Sequence, residues 1–544
     1  MTAFLNSNKK LFTFLFFLTF FLIGLFIFPD YGIPIDEDNT RIVGFLNLES
    51  IYKIFAPEHV AKIDDFITGQ RGENLNLDVV PSTGAIFDLP MSLLELIFQI
   101  NDSRQYFLLR HFFTFIFFFT SVYFFFLLVK KRYNSWLIGI VGATFLIISP
   151  RIFANSFYNS KDMIFFSLFI ISLYVSINFI EKQDFKNAII FSIISGLTIN
   201  ARIFGLFLPP LVFLIYFINI LRNKNNKKKT LKPLILSLVL TPFFIFLFWP
   251  YLWDHPLDNL LYSLKQWSDQ SLNIYTYYLG QYTFTTIPPW HYHLVWIFIS
   301  TPLLYIILFV VGFVFILQRT VKRLLKIKKN DSYTDLWRGN KELQDLIFFL
   351  TFLITIIFAI DSKSISYDGW RILYYIYPSF LLISLFGLHI IKVIFFRKKN
   401  NYLYVLSIIL IMPTTFWMYK NHPFQYIYFN LLAGKNFNEK FEMDYFGISN
   451  KSVLEYIIGK EGKKVKIYNL STTDLNLSKK ILKKHMREKI TIVDNANDAD
   501  YITNNYRDWR GKIKPTEFII PKNFKIIHEI KVDDVSINSI YKKQ

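Results

Sequence analysis

Uncharged, mostly apolar runs of 14 to 20 or more residues recur along the first 420 positions of the chain. A bilayer core of about 30 Å needs roughly 20 apolar residues in a helix, so these runs predict spanning helices and not a soluble core. Eleven are placed near residues 11–28, 106–129, 134–149, 163–180, 187–200, 203–221, 233–250, 294–317, 345–360, 372–396 and 402–419. The first follows Lys9 and Lys10 and lacks a small-x-small cleavage site before the charged loop, which predicts an uncleaved anchor. Ile86 to Ile100 is too short to span and is interrupted by Asp88, Pro90 and Glu95, so it predicts a helix lying in the membrane interface. The stretch from Glu49 to Thr68 predicts further helices of that kind.

Beyond residue 420 the pattern changes to one rich in charge and Asn. KVKIYNL, ITIVD and DYITNNY predict short strands, SKKILKKHMREK a helix between the first two, and FKIIHEIKVDDVSINSIY a terminal hairpin. The expected fold class is therefore a polytopic α-helical membrane protein over residues 1–420, with a first outer loop at 30–105, and a small C-terminal α/β domain over 421–544.

Composition changes this picture in two ways. The chain has no cysteine, which excludes disulfides, thiolate metal sites and a cysteine nucleophile. Its net charge of +20 would raise nucleic-acid binding in a soluble protein, but here the charge is confined to turns between apolar runs. Basic clusters stand at Lys130 to Arg132, Arg222 to Lys232, Arg319 to Lys329 and Arg397 to Lys399. With Lys9 and Lys10 inside, counting crossings puts every cluster on the cytoplasmic side, as the positive-inside rule requires, and leaves the tail outside. The loop Asp30 to Gln105 then falls outside, and it holds 13 acidic against 5 basic residues.

Ionisable residues are scarce within the expected spans and concentrated at their outer rim. PIDEDNTR places Asp36, Glu37 and Asp38 just after the first helix; Arg151, Lys161 and Asp162 bracket the third and fourth; Arg202 caps the fifth; Asp368 and Arg371 precede the tenth. Interfacial charges often only anchor helix ends, but a rim carrying both signs fits a site. Sugar transfer from a lipid phosphate to a hydroxyl wants such a set. A carboxylate accepts the proton of the attacking hydroxyl, cations receive the phosphate leaving group, and the lipid tail explains the location. His291 and His293 in PPWHYHLVW alternate without a carboxylate at fixed spacing, short of a metal site, and read as interfacial belt residues together with Trp249 and Trp290.

PIDEDNTR after a first helix, SPRIFANSFYNSKDMIF and GLTINARIFGLFLPPL resemble the C-type polytopic glycosyltransferases, the family-39-like group of protein O-mannosyltransferases and aminoarabinose transferases. WPYLWDHPL, PPWHYHLVWIFISTPLL, YDGWRILYYIYP and HPFQYIYFNLLAG with FEMDYFG resemble an uncharacterised bacterial branch. Where many relatives carry an aromatic soon after the Asp-Glu pair, this chain has Asp38-Asn39-Thr40. The resemblance implies an outward-facing site, a polyprenyl-phosphate sugar donor and a first-loop Asp as base. On this chain that assigns catalysis to Asp36, Glu37 and Asp162, and donor phosphate binding to Arg202, Lys161 and Arg371. No metal is required, although Asp36 and Asp162 together suit a divalent cation.

The expectation is an inner-membrane glycosyltransferase, inverting, acting on a lipid, glycan or protein acceptor among membrane lipids and without nucleic acid. The tail is expected to frame the acceptor without contributing a catalytic group. A transporter or flippase of lipid-linked saccharides and a noncatalytic scaffold are the alternatives.

Overall fold

The computed structural model describes residues 8–71, 85–222, 227–268, 274–325, 336–361, 366–396 and 402–544. The expected basic cluster Arg397 to Lys399, and parts of those at Arg222 to Lys232 and Arg319 to Lys329, lie outside the described residues.

Each apolar run forms a helix because only a helix satisfies every backbone N–H and C=O within the segment. The helices are α1 Lys9–Ile27, α2 Glu37–Phe55, α3 Val60–Arg71, α4 Ala85–Ile97, α5 Ser103–Tyr133, α6 Trp136–Ile147, α7 Pro150–Tyr158 and α8 Ser160–Lys182. They continue with α9 Phe185–Ala201, α10 Leu208–Arg222, α11 Lys227–Leu247, α12 Pro256–Ser268, α13 Tyr292–Ser300, α14 Leu303–Leu325, α15 Gly339–Asp361, α16 Tyr377–Phe395, α17 Tyr402–Leu410 and α18 Met412–Lys420. Among the described residues nine helical segments are long and apolar enough to cross a membrane, or ten if the bent pair α6 and α7 is one span. The remaining expected position is α9, a helix of 17 residues. The molecule is thus a polytopic α-helical membrane protein.

Proline sets the interruptions that the apolar pattern hides. The expected span 294–317 is two helices, α13 and α14, parted at Thr301-Pro302, and 402–419 is parted at Ile411, just before Pro413. Pro150 opens α7 at its first turn and the chain bends there by 71°. Pro150 to Asp162, the segment between the expected third and fourth spans, is therefore mostly a helix whose nine residues are all buried. Its Arg151 lies over the rings of Trp296 and Phe429, at 5.0 and 4.8 Å. Where α14 meets α16, Gly312 and Gly387 let the backbones touch, since a Cβ on either would run into the carbonyl of Ile383 or Leu308.

α5 gives the molecule its long axis, 31 residues or about 46 Å. At its last turn Arg132 pairs with Asp345, 2.6 Å away, which also takes Arg319 at 3.1 Å. This is the basic end. At the first turns of α5, the opposite end, lie α2, α4 and the C-terminal domain.

That domain is a five-stranded sheet in the order β4-β3-β5-β7-β6, preceded by the helix α19 Ser449–Glu461. Its strands are β3 Val465–Asn469, β4 Ile490–Val493, β5 Tyr501–Asn504, β6 Phe524–Val532 and β7 Val535–Lys543. β3 runs parallel to β4 and β5, and the terminal hairpin adds antiparallel to β5. The hairpin turns at Asp533-Asp534, both at positive φ, as a two-residue primed turn requires. Between β3 and β4 the expected helix is instead two short pieces, Leu475–Lys479 and Lys484–Arg487. Residues 421–448, grouped with the tail on composition, bury Tyr426, Phe441 and Tyr445 in the core of the bundle. A second hairpin, β1 Tyr275–Tyr278 and β2 Gln281–Phe284, stands beside them, with Glu442 N–H bonded to the Tyr277 carbonyl.

Candidate active site

Three successive carboxylates open α2, and because residues on a helix point about 100° apart, they go three ways. Asp36 faces Arg371, 2.6 Å away. Glu37 turns inward to His111 on α5, at 3.1 Å. Asp38 meets Lys480 of the C-terminal domain at 3.1 Å.

Arg371 is the hub. It begins a turn of 3₁₀ helix after Asp368-Gly369, both at positive φ, which brings Asp368 back to its guanidinium at 3.1 Å. The same guanidinium lies 2.6 Å from Asp36 and 3.6 Å from Asp162. Asp162 sits in the first turn of α8, where the helix N-terminus favours an anion. The Asn159 amide donates to its Oδ2 at 2.7 Å, and Arg202 pairs with its Oδ1. Arg202 is positioned by the break after α9, where the chain leaves the helix in an extended conformation. The structure thus brings together Asp36, Asp162, Arg202 and Arg371, adds Asp368, and directs Glu37 elsewhere.

Exposure separates these carboxylates. The side chain of Asp36 is 30% exposed, against 2% for Asp162 and for Asp368. Burial would by itself raise the pKa of Asp36, but Arg371, with Lys161 and Arg202, outweighs it and holds the carboxyl well below the usual carboxylate range. Asp36 is therefore ionised, and a weak base while those cations face it. The Arg371 guanidinium lies between Asp36 and Asp162 and is the cation the two carboxylates share. Among the described residues no group of three or more His, Asp or Glu could hold a metal ion. His293 is buried and bonded to Ser366 at 2.8 Å, and Trp249 is buried, so neither is a belt residue, whereas Trp290 is exposed.

Glu37 belongs to a separate cluster between α2, α4 and α5. Arg41 pairs with Glu95 at 2.8 Å, and Arg110 pairs with Asp88 and lies 3.7 Å from Glu95. Asp88 and Glu95, seven apart, share one face of α4, which turns the expected interfacial helix into one docked on the bundle.

Sequence reasoning placed Asp368 on the rim without a role and missed Arg507 and Glu442. Arg507 follows β5 and reaches Asp368 at 2.8 Å, with Glu442 at 3.7 Å on its other side. The spacing of Asp368 to Arg371 signals a local pair; no local pattern marks Arg507.

A helical bundle with an ionic site at one end, under a small α/β domain, has the architecture of the C-type polytopic membrane glycosyltransferases. Residues 90–249 match the model of the dolichyl-phosphate-mannose-protein mannosyltransferase family. This match bears out the resemblance to a family-39-like glycosyltransferase and makes the protein a membrane glycosyltransferase. It spans less than a third of the chain, including Lys161, Asp162 and Arg202 but not Asp36, Glu37 or Arg371. A comparison with curated proteins finds no match.

Proposed function

We propose that this glycosyltransferase moves a sugar from a polyprenyl-phosphate donor to a hydroxyl acceptor at the outer face of the cytoplasmic membrane, with inversion. The observation that carries the reading is the Arg371 hub, a buried cation shared by three carboxylates of which Asp36 alone is substantially open to an incoming group. The name of the matched family, with its dolichyl phosphate, supports a lipid-phosphate donor.

The acceptor oxygen attacks the anomeric carbon as the bond to the phosphate oxygen breaks, and Asp36 takes the hydroxyl proton. Attack opposite the leaving group inverts the centre. Arg371, Arg202 and Lys161 receive the phosphate, whose charge needs no protonating acid. Because those cations are also what hold Asp36 acidic, a phosphate that draws on them strengthens the base, which favours donor binding before acceptor. Asp162 fixes Arg202, and Glu37 fixes α2.

Sidedness follows from the basic end being cytoplasmic. A single cysteine at the exposed Asn39 should react with an impermeant reagent from outside. The function is tested by incubating purified protein with a panel of polyprenyl-phosphate sugars and assaying released polyprenyl phosphate. Release with at least one donor is expected; none with any acceptor extract would refute the reading.

A further inference from the structure

The expected role of the C-terminal domain is to frame an acceptor, yet its one deeply buried arginine points at the ionic hub. Arg507 is 7% exposed and pairs with Asp368 Oδ1 at 2.8 Å, while Asp368 Oδ2 holds Arg371 at 3.1 Å. Arg371 in turn holds Asp36. Signs alternate without a break from Arg507 through Asp368 and Arg371 to Asp36 and Asp162, and end on Arg202. Arg507 is itself held in place, since it donates to the Tyr445 carbonyl and the neighbouring Asn505 donates to the Asp444 carbonyl at 3.0 Å.

We propose that Arg507 is a positioning residue of the active site, through which the C-terminal domain sets how Arg371 is divided between Asp368 and Asp36. Asp368 is buried and has two cationic partners, one from the bundle and one from the tail. Without Arg507 its charge is left with Arg371 alone, and a guanidinium that can grip one carboxylate through two N–H groups shifts toward it. Asp36 then loses its orienting partner and the phosphate loses part of its receptor. The tail thereby becomes part of the enzyme's machinery, and removing it after Gly447 should impair donor use as well as acceptor use.

This rests on the function proposed above, so the test has one arm that needs no substrate. In the full-length protein, Arg507→Gln should lower kcat on the order of 10- to 100-fold, as expected for a displaced reacting group. It should also move the acidic limb of the kcat/KM profile upward, because Asp36 is less firmly held as an anion. Arg507→Lys should recover part of the loss. Adding Asp368→Asn to Arg507→Gln removes the orphaned charge, so the double variant should turn over faster than Arg507→Gln and melt at a higher temperature. Arg487→Ala, which loosens the domain at Asp102 without touching the series, should stay within about twofold of wild type. If Arg507→Gln does not accumulate, Arg507→Lys and the double variant carry the comparison. Losses that simply add in both turnover and melting, or an equal loss in Arg487→Ala, would overturn the proposal. A wild type that transfers no sugar would refute the function instead, and the melting arm would still decide the Arg507 to Asp368 coupling.

Discussion

Two ionic clusters lie within a few turns of each other on α2, and neighbouring residues feed them: Asp36 one, Glu37 the other. In the sealed cluster Arg41, Asp88, Glu95, Arg110, Glu37 and His111 are all buried. In the other, Asp36 stands 30% exposed beside the buried Arg371. A sealed cluster can only hold parts together; it fixes α2 against α4 and α5. An open one can exchange its partners for a substrate. Buried charge at a membrane face is thus not in itself a site, and what distinguishes the site is the carboxylate with access.

Breaking the sealed cluster should have the largest effect on stability. Arg110→Ala leaves Asp88 and Glu95 short of a cation and should cost about 3–5 kcal/mol, seen as a lower melting temperature and lower abundance. Turnover per folded molecule should stay near wild type. The open cluster should behave the opposite way. Arg202→Ala should raise the apparent donor constant about 10- to 100-fold, the loss of a charged hydrogen bond to phosphate, with smaller loss of stability because Asp162 keeps Arg371 and Asn159. Arg202→Lys should recover only part, since it lacks the planar fork. Glu37→Gln sharpens the contrast between neighbours: it still accepts from His111, so it should cost about 1 kcal/mol of stability and little turnover.

The smallest effect is one of pH. Burial pushes Glu442 up to about 7 from an ordinary 4.5, despite Arg507 beside it. The folded protein then keeps a proton that the unfolded chain releases, so stability falls as pH rises from about 4.5 to 7. Glu442→Gln should flatten the melting temperature over that window. An unchanged slope would place the titration elsewhere.

The spanning helices were legible because apolar length is a local property, and so was the acidic rim. The breaks at Thr301-Pro302 and Ile411 were not, since proline is tolerated inside an apolar run and only packing decides whether the chain parts there. Asp36 and Glu37 looked like a pair because the phase of α2 could not be read; once the helix starts at Glu37, they diverge. Asp368 and Arg371, three apart, could be read as a local pair, but the partner Arg507 comes from another domain after a strand, and nothing in its neighbours announces it. Arg151 looked like a rim charge until α7 folded inward and laid it on two aromatic rings.

The central claim is that Asp36 accepts the proton of the attacking hydroxyl. Asp36→Asn keeps size and a hydrogen-bonding carbonyl but cannot take that proton. With donor bound and acceptor added, single-turnover release of polyprenyl phosphate should be about 10²–10⁴-fold slower than in wild type, with donor affinity and melting temperature little changed. Release by Asp36→Asn at a rate close to wild type would contradict the account.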